Sequence, residues 1–161
     1  MPDEKVGHLI KLPIDSIDEN VDAEPKEPYT EEEVLGVLSD LRNAVDNMSY
    51  IPQTPTVDNP ALSDEYIFDT NDENLVLKDL TKLNFVGKIK DVGKGAKRRI
   101  KQGLPQEYLY VFKYPCKLAR RDAQESGTNL DSVLIYIKIN DRKVPDKKLF
   151  IVSFHKNRPK R

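Results

Sequence analysis

Arg120 and Arg121 stand side by side, His155 is followed by Lys156 and Arg158, and Lys94, Lys97, Arg98, Arg99 and Lys101 crowd one short stretch. These are the residue types that handle phosphate. A guanidinium meets two phosphate oxygens at once through its fork of N–H donors. An imidazole titrates near neutrality, so His155 is the natural candidate for a catalytic acid or base. Glu107 is the carboxylate that could serve as the base. Side chains alternate across a strand, so only one of Arg120 and Arg121 can face a given site. Lys94, Lys97, Arg98, Arg99, Lys101, Lys117, Lys156 and Arg158 form the candidate set for gripping a polyanion. Each residue also has a plainer reading. His155 is equally a half-exposed member of a basic patch, the Arg pair a solubilising surface, and Glu107 an ordinary residue at a strand start.

The pattern around these residues predicts the elements that hold them. Tyr29 to Glu33 reads as a helix start, with Thr30 as N-cap and Glu33 at the capping-box spacing. Val34, Leu38, Leu41 and Val45 follow at helical spacing, and the helix should fade near Asn47. Pro52, Pro55 and Pro60 mark a linker. A second helix should start near Asn71 and carry Leu75, Leu77, Leu80 and Leu83. A short basic helix should run from Gly95 to its stop at Gly103. Glu107 to Tyr114 then alternates as a strand. Tyr108, Tyr110 and Tyr114 are either core or platforms for stacked bases. Ser132–Ile139 and Leu149–His155 are apolar on both faces and predict a hairpin turned through Pro145. Val6 to Ile14 predicts one short strand, and residues 15–28 are too acidic and too poor in large apolar groups to order by themselves.

The fold class is therefore α+β: a small antiparallel sheet with helices packed on one face, preceded by an acidic, partly irregular N-terminal region with one helix. The expected units are an irregular segment 1–28, a helix with a Pro-rich linker at 29–70, and a basic α+β domain at 71–161. In the hairpin, His155 is expected level with Ser132. The loop between Arg121 and that strand spans about ten residues, short enough to bring an Arg and Arg158 to the same end.

Charge separates along the chain more sharply than any other property. Residues 1–80 hold 20 acidic and 5 basic residues, and residues 81–161 hold 7 acidic and 21 basic ones, net charges of −15 and +14. Such asymmetry points to nucleic-acid contact, to an acidic half that lies on the basic one, or to mere mutual neutralisation. No apolar run nears the roughly 18 residues of a membrane span, and a soluble, cytoplasmic protein is the expectation. The single cysteine, Cys116, cannot form an internal disulfide, and with two histidines it leaves a metal site poor in ligands, so no metal and no cofactor are expected.

Three stretches resemble a known family. They are Lys117 to Asp122 with its Arg pair, Ser132 to Lys138, and Phe150 to Arg158. Their order, a basic helix, a strand ending in Arg-Arg, then two apolar strands with a polar exit, is similar to the RelE/YoeB group of ribonuclease toxins, within the barnase, colicin D and RelE-like set. The resemblance covers about half the chain. It implies metal-independent endoribonuclease activity, in which the 2′-hydroxyl attacks the adjacent phosphate, a base and an acid move the protons, and Arg holds the developing charge. Glu107, lying before the first strand, and the long acidic N-terminal half depart from that pattern. The expected function is RNA binding with such cleavage, from a toxin, phage or mobile element. The alternatives are a non-catalytic nucleic-acid-binding or virion-associated protein using the same basic face, and an interaction protein docking through its acidic half.

Overall fold

The computed structural model describes residues 4–6, 8–14, 17, 25–122 and 130–157. The chain is α+β, with six strands in one antiparallel sheet. The strands are β1 (Glu4–Val6), β2 (Leu9–Lys11), β3 (Phe85–Lys90), β4 (Tyr108–Ala119), β5 (Leu130–Arg142) and β6 (Lys148–Lys156), and the helices are α1 (Glu31–Asp46), α2 (Thr70–Asp79) and α3 (Lys94–Lys101). β4 lies between β5 and a divided edge: β3 pairs with its first half and β2 with its second. The one strand expected over residues 6–14 is thus two short strands, paired Val6 to Leu9.

α1 forms as its pattern predicts. The Thr30 hydroxyl accepts the Glu33 N–H at 3.1 Å, and Val34, Val37, Leu38, Leu41, Ala44 and Val45 are buried. That stripe packs with Val76 and Leu77 of α2 onto Phe112, Tyr114, Cys116, Leu118, Ile135, Ile137, Ile139 and Ile151 of the sheet, in one core. Leu38 and Leu41 are 1% and 0% exposed, so each stabilises by roughly 1.5–3 kcal/mol. Leu62, Tyr66 and Phe68 enter the same core, so the stretch drawn as a linker unit closes the sheet's lower end. The second helix starts at Thr70, next to the expected Asn71, with Asp69 and Asp72 in a reciprocal capping box; it ends at Asp79, so Leu80 and Leu83 lie outside it, and Leu83 is 66% exposed. The opposite face of the sheet carries a smaller cluster of Val86, Ile89, Leu109, Val111 and Tyr136.

The hairpin exists but is longer than its apolar runs. β5 continues through Asn140, Asp141 and Arg142, and β6 extends to Lys156. The turn pairs Arg142 with Lys148, and with a one-residue shift at Lys138/Ile139 this places His155 opposite Tyr136, while the Asn157 N–H bonds the Leu134 carbonyl. His155 is therefore not level with Ser132, four residues farther along β5. Among the described residues no helix is long and apolar enough to cross a membrane.

Candidate nucleic-acid interface

α3 joins β3 to β4 at the end of the sheet. Gly93 precedes it, and Gly103 ends it at φ +91°, a backbone angle that suits glycine. The eight residues hold five cations and no acid. Lys94, Lys97, Arg98 and Lys101 stand at i, i+3, i+4 and i+7, which puts them on one stripe, and all four are exposed. Lys90, exposed at the end of β3, adds a fifth. Ala96 is buried, and Arg99 turns inward, where it forks onto Glu107 through Nε and through Nη2 at 2.9 Å. The Asn140 amide donates to Glu107 at 2.9 Å and to Asp91 at 2.8 Å, so the helix, the β3 exit and β5 are pinned to one buried carboxylate. Burial pushes the Glu107 carboxyl up, but the Arg99 and Asn140 hydrogen bonds outweigh it and hold it below the ordinary range.

Elsewhere the cations of the second half meet acids of the first. Lys82 pairs with Glu31 at 2.6 Å, Lys88 with Glu33 at 2.8 Å, Lys156 with Glu65 at 3.5 Å, and Lys143 with Asp40. Among the described residues Lys90, Lys94, Lys97, Arg98 and Lys101 have no such partner. Lys94 even sits at the positive end of the helix dipole, where a cation is disfavoured.

Behind α3 a cleft of about 410 Å³ opens between α1 and the sheet. Glu33 and Gly36 of α1 form one wall, Tyr108 and Tyr110 of β4 the floor, and Glu107, Asn140 and Asp141 the inner end. The Glu33 carboxylate takes both Lys88 Nζ and the Tyr110 hydroxyl on Oε2, at 2.8 and 2.9 Å. The Lys88 hydrogen bond holds it below the usual range. Lys88 Nζ also lies 4.4 Å from the Tyr108 ring centre. Asp141 is different. Burial, reinforced by the neighbouring Asp40 carboxyl, pushes it up to about 7, while Asp40 is lowered by the hydrogen bond from Asp141. Lys143 Nζ bridges the pair, donating to Asp40 and, at 3.2 Å, to Asp141.

The residues expected to catalyse do not gather. Glu107 is locked at the α3 end. Arg120, exposed just past β4, pairs with Asp122 at 2.8 Å. Arg121 turns its Nε onto the Ser63 carbonyl. His155 lies on the Tyr136 face, ring centres 5.6 Å apart, and its Nδ1 donates to the Lys156 carbonyl at 3.0 Å. Arg121 and His155 line separate depressions that share only Ala61 and Leu62. The cause is the register: β6 overruns the expected end, and residues 61–66 fill the space beside it. Lys156 donates to the Tyr66 hydroxyl at 3.0 Å, which in turn donates to Asp131 at 2.9 Å, so it closes the sheet end. Lys117 is half-buried on β4, opposite Ser132 and Ile10, and Arg158 lies outside the described residues. Of the expected polyanion set, Lys94, Lys97, Arg98 and Lys101 stand together, and Arg99 supports them from behind. Tyr114 is core, whereas Tyr108 and Tyr110 line the cleft. Sequence reasoning missed Lys90, Glu33, Gly36 and Asp141, and the available signal was a glycine in the middle of a strongly amphipathic helix.

Among the described residues one cluster has metal-ligand chemistry: His8, Asp69 and Asp72, with His8 Nδ1 2.8 Å from Asp72. Its carboxylates already cap α2, since Asp69 accepts the Asp72 N–H and Asp72 accepts the Asp69 and His8 N–H groups, each at 2.9 Å. The positive end of that helix also opposes a cation. The cluster is a helix cap, with His8 extending it. No protein family, no curated protein and no solved structure matches the chain.

Proposed function

We propose that the protein binds single-stranded RNA through the cationic stripe of α3, as a binding protein rather than through the acid–base constellation of a nuclease. The observation that carries this is the stripe itself: four exposed cations at one helical spacing, without acid partners among the described residues, in a chain whose other cations largely have them. Like charges so placed oppose helix formation. A polyanion reverses that balance, because its phosphates shed condensed counterions when Lys and Arg replace them. The neighbouring Tyr108 and Tyr110 supply aromatic surface for unpaired bases, which a single strand exposes and a duplex does not. Cleavage would need His155, an Arg and a second proton-transfer group at one place, whereas Arg121 and His155 line separate depressions.

The test is fluorescence anisotropy of the full chain with a labelled single-stranded RNA, titrated across salt, with DNA of the same sequence for comparison. Affinity should fall linearly with salt on logarithmic axes and favour RNA. No binding to either strand at about 50 mM salt, where phosphate contacts are strong, would reject the reading.

A further inference from the structure

We propose that the cleft behind α3 is a nucleobase pocket, and that it prefers a base carrying an exocyclic amino group. This rests on the reading of α3 as an RNA-binding face and names what the RNA places beside it. Gly36 is the first observation. It sits inside α1, where glycine costs about 1 kcal/mol relative to alanine, and a Cβ built there meets nothing within 4 Å. Packing does not require the glycine, and its lack of a side chain keeps the cleft open. The volume of about 410 Å³ lies within the roughly 300–1,000 Å³ of small-ligand sites.

The chemistry of the lining selects the occupant. Lys88 and Arg99 already neutralise Glu33 and Glu107, and Arg142 and Lys143 also line the cleft, so charge alone does not exclude a phosphate; the backbone of a nucleic acid is assigned to the stripe because its four cations are exposed without acid partners among the described residues. Tyr108 and Tyr110 offer the apolar aromatic surface on which a base stacks. Lys88 and Tyr110 donate to Glu33 Oε2 and the Thr30 backbone N–H also reaches this carboxylate, whose two oxygens offer about four acceptor sites, so one remains for an amino group. The placement is consistent with one strand engaging both parts: Glu107 lines the cleft and is the residue on which Arg99 of α3 is forked. A phosphate on the stripe and a base in the cleft are then neighbours on one chain.

The experiment compares oligocytidylate, oligouridylate and an abasic strand of equal length, all binding the full-length protein at one salt concentration. Cytosine and uracil differ at the position of the amino group. Base stacking on an aromatic side chain is worth about 5- to 150-fold, so the abasic strand should bind weaker by that factor, and oligocytidylate should bind more tightly than oligouridylate. Gly36→Met places a flexible helix-forming side chain into the open cleft and should bring all three to the abasic level, with the salt slope unchanged. Glu33→Gln should level cytidylate and uridylate only. Retention of the base preference in Gly36→Met would overturn the pocket, and equal binding of cytidylate and uridylate would overturn the amino-group assignment. Equal binding of all three strands by the unmodified protein would overturn this proposal and leave the RNA-binding face standing. Binding of none of them would overturn both.

Discussion

Replacing Lys94, Lys97, Arg98 and Lys101 together by Gln should make the protein more stable and less able to bind. The four cations form four repulsive pairs at i,i+3 or i,i+4: 94 with 97 and 98, and 101 with 97 and 98. Each such pair costs about 0.2–0.5 kcal/mol. The helix dipole opposes Lys94 and favours Arg98 and Lys101, so its contributions partly cancel. Gln matches Lys and Arg in helix propensity, so the exchange itself is close to neutral. The expected gain is on the order of 1 kcal/mol, or about 2–4 °C in Tm for a chain of this size. In binding, each phosphate-bound cation contributes about 0.7 to the slope of log K against log salt for a single strand. Losing all four should flatten that slope by about 3. Thermal unfolding and salt-dependent anisotropy on the same preparation measure both. A variant that loses stability would show that the stripe is held by contacts within the fold, and an unchanged salt slope would show that it does not touch phosphate. Either result refutes the reasoning.

Glu107→Gln should lower stability by about 1–3 kcal/mol, since it leaves the inward-turned Arg99 without its anion, and denaturant unfolding measures the loss; a nuclease base would be expected to leave stability alone. Asp141 gives a pH dependence. Its folded pKa is raised from 3.8 to about 7, so the fold holds the proton more tightly than the unfolded chain. Its contribution is full below the unfolded value and is lost as pH rises through about 7. Unfolding from about pH 5 to about pH 8 should therefore show falling stability, and Asp141→Asn should flatten it. Residues 81–161 expressed alone should not fold, because α1 and α2 cover the Phe112, Tyr114, Ile135 and Ile137 face of the sheet. Near-ultraviolet circular dichroism and hydrogen exchange check this, and a cooperative unfolding transition of the fragment would contradict it. Leu41→Ala should cost about 2–5 kcal/mol and lower a single transition of the whole chain, as expected where helix and sheet share one core.

The elements legible in the sequence are those whose period is local. α1 carries its Thr30 cap and its stripe within 16 residues, and β5 and β6 carry theirs in unbroken apolar runs. Asn140, Asp141 and Arg142 read as turn residues because they are polar, yet they extend β5, since Asn140 bonds Asp91 and Glu107 across the sheet end. Nothing local announces a partner that far away. The Asp40–Asp141 pair has the same character, two carboxyls from α1 and β5 that meet only after folding. The expected gathering of His155 and the Arg pair failed for a related reason. Strand end and register decide which side chains are level: the turn sets Arg142 opposite Lys148, which brings His155 to Ile135, and the one-residue shift at Lys138/Ile139 moves it on to Tyr136. The α3 stripe was legible because spacing alone places it, and its outward direction follows from Ala96 being the small residue on the other side.

The acidic first half acquires a definite role in this arrangement. Glu31, Glu33, Asp40 and Glu65 neutralise Lys82, Lys88, Lys143 and Lys156, cations that lie over the core or at the ends of the sheet. Exposed pairs of this kind add little stability, about 0–1 kcal/mol each. Their larger effect is on the field. A basic domain left unpaired would attract a polyanion over much of its surface and in many orientations. Among the described residues, pairing the cations near α1 and the sheet ends leaves uncompensated positive charge concentrated on α3, next to a cleft that combines two tyrosines with acceptor groups. In the RNA-binding reading proposed above, screening over about 10 Å at 0.1 M salt would make the local charge of α3, rather than the near-zero total, what an approaching strand meets. Charge reversal at Glu31 or Asp40 should accordingly broaden binding to non-specific strands rather than strengthen the preference set at the cleft.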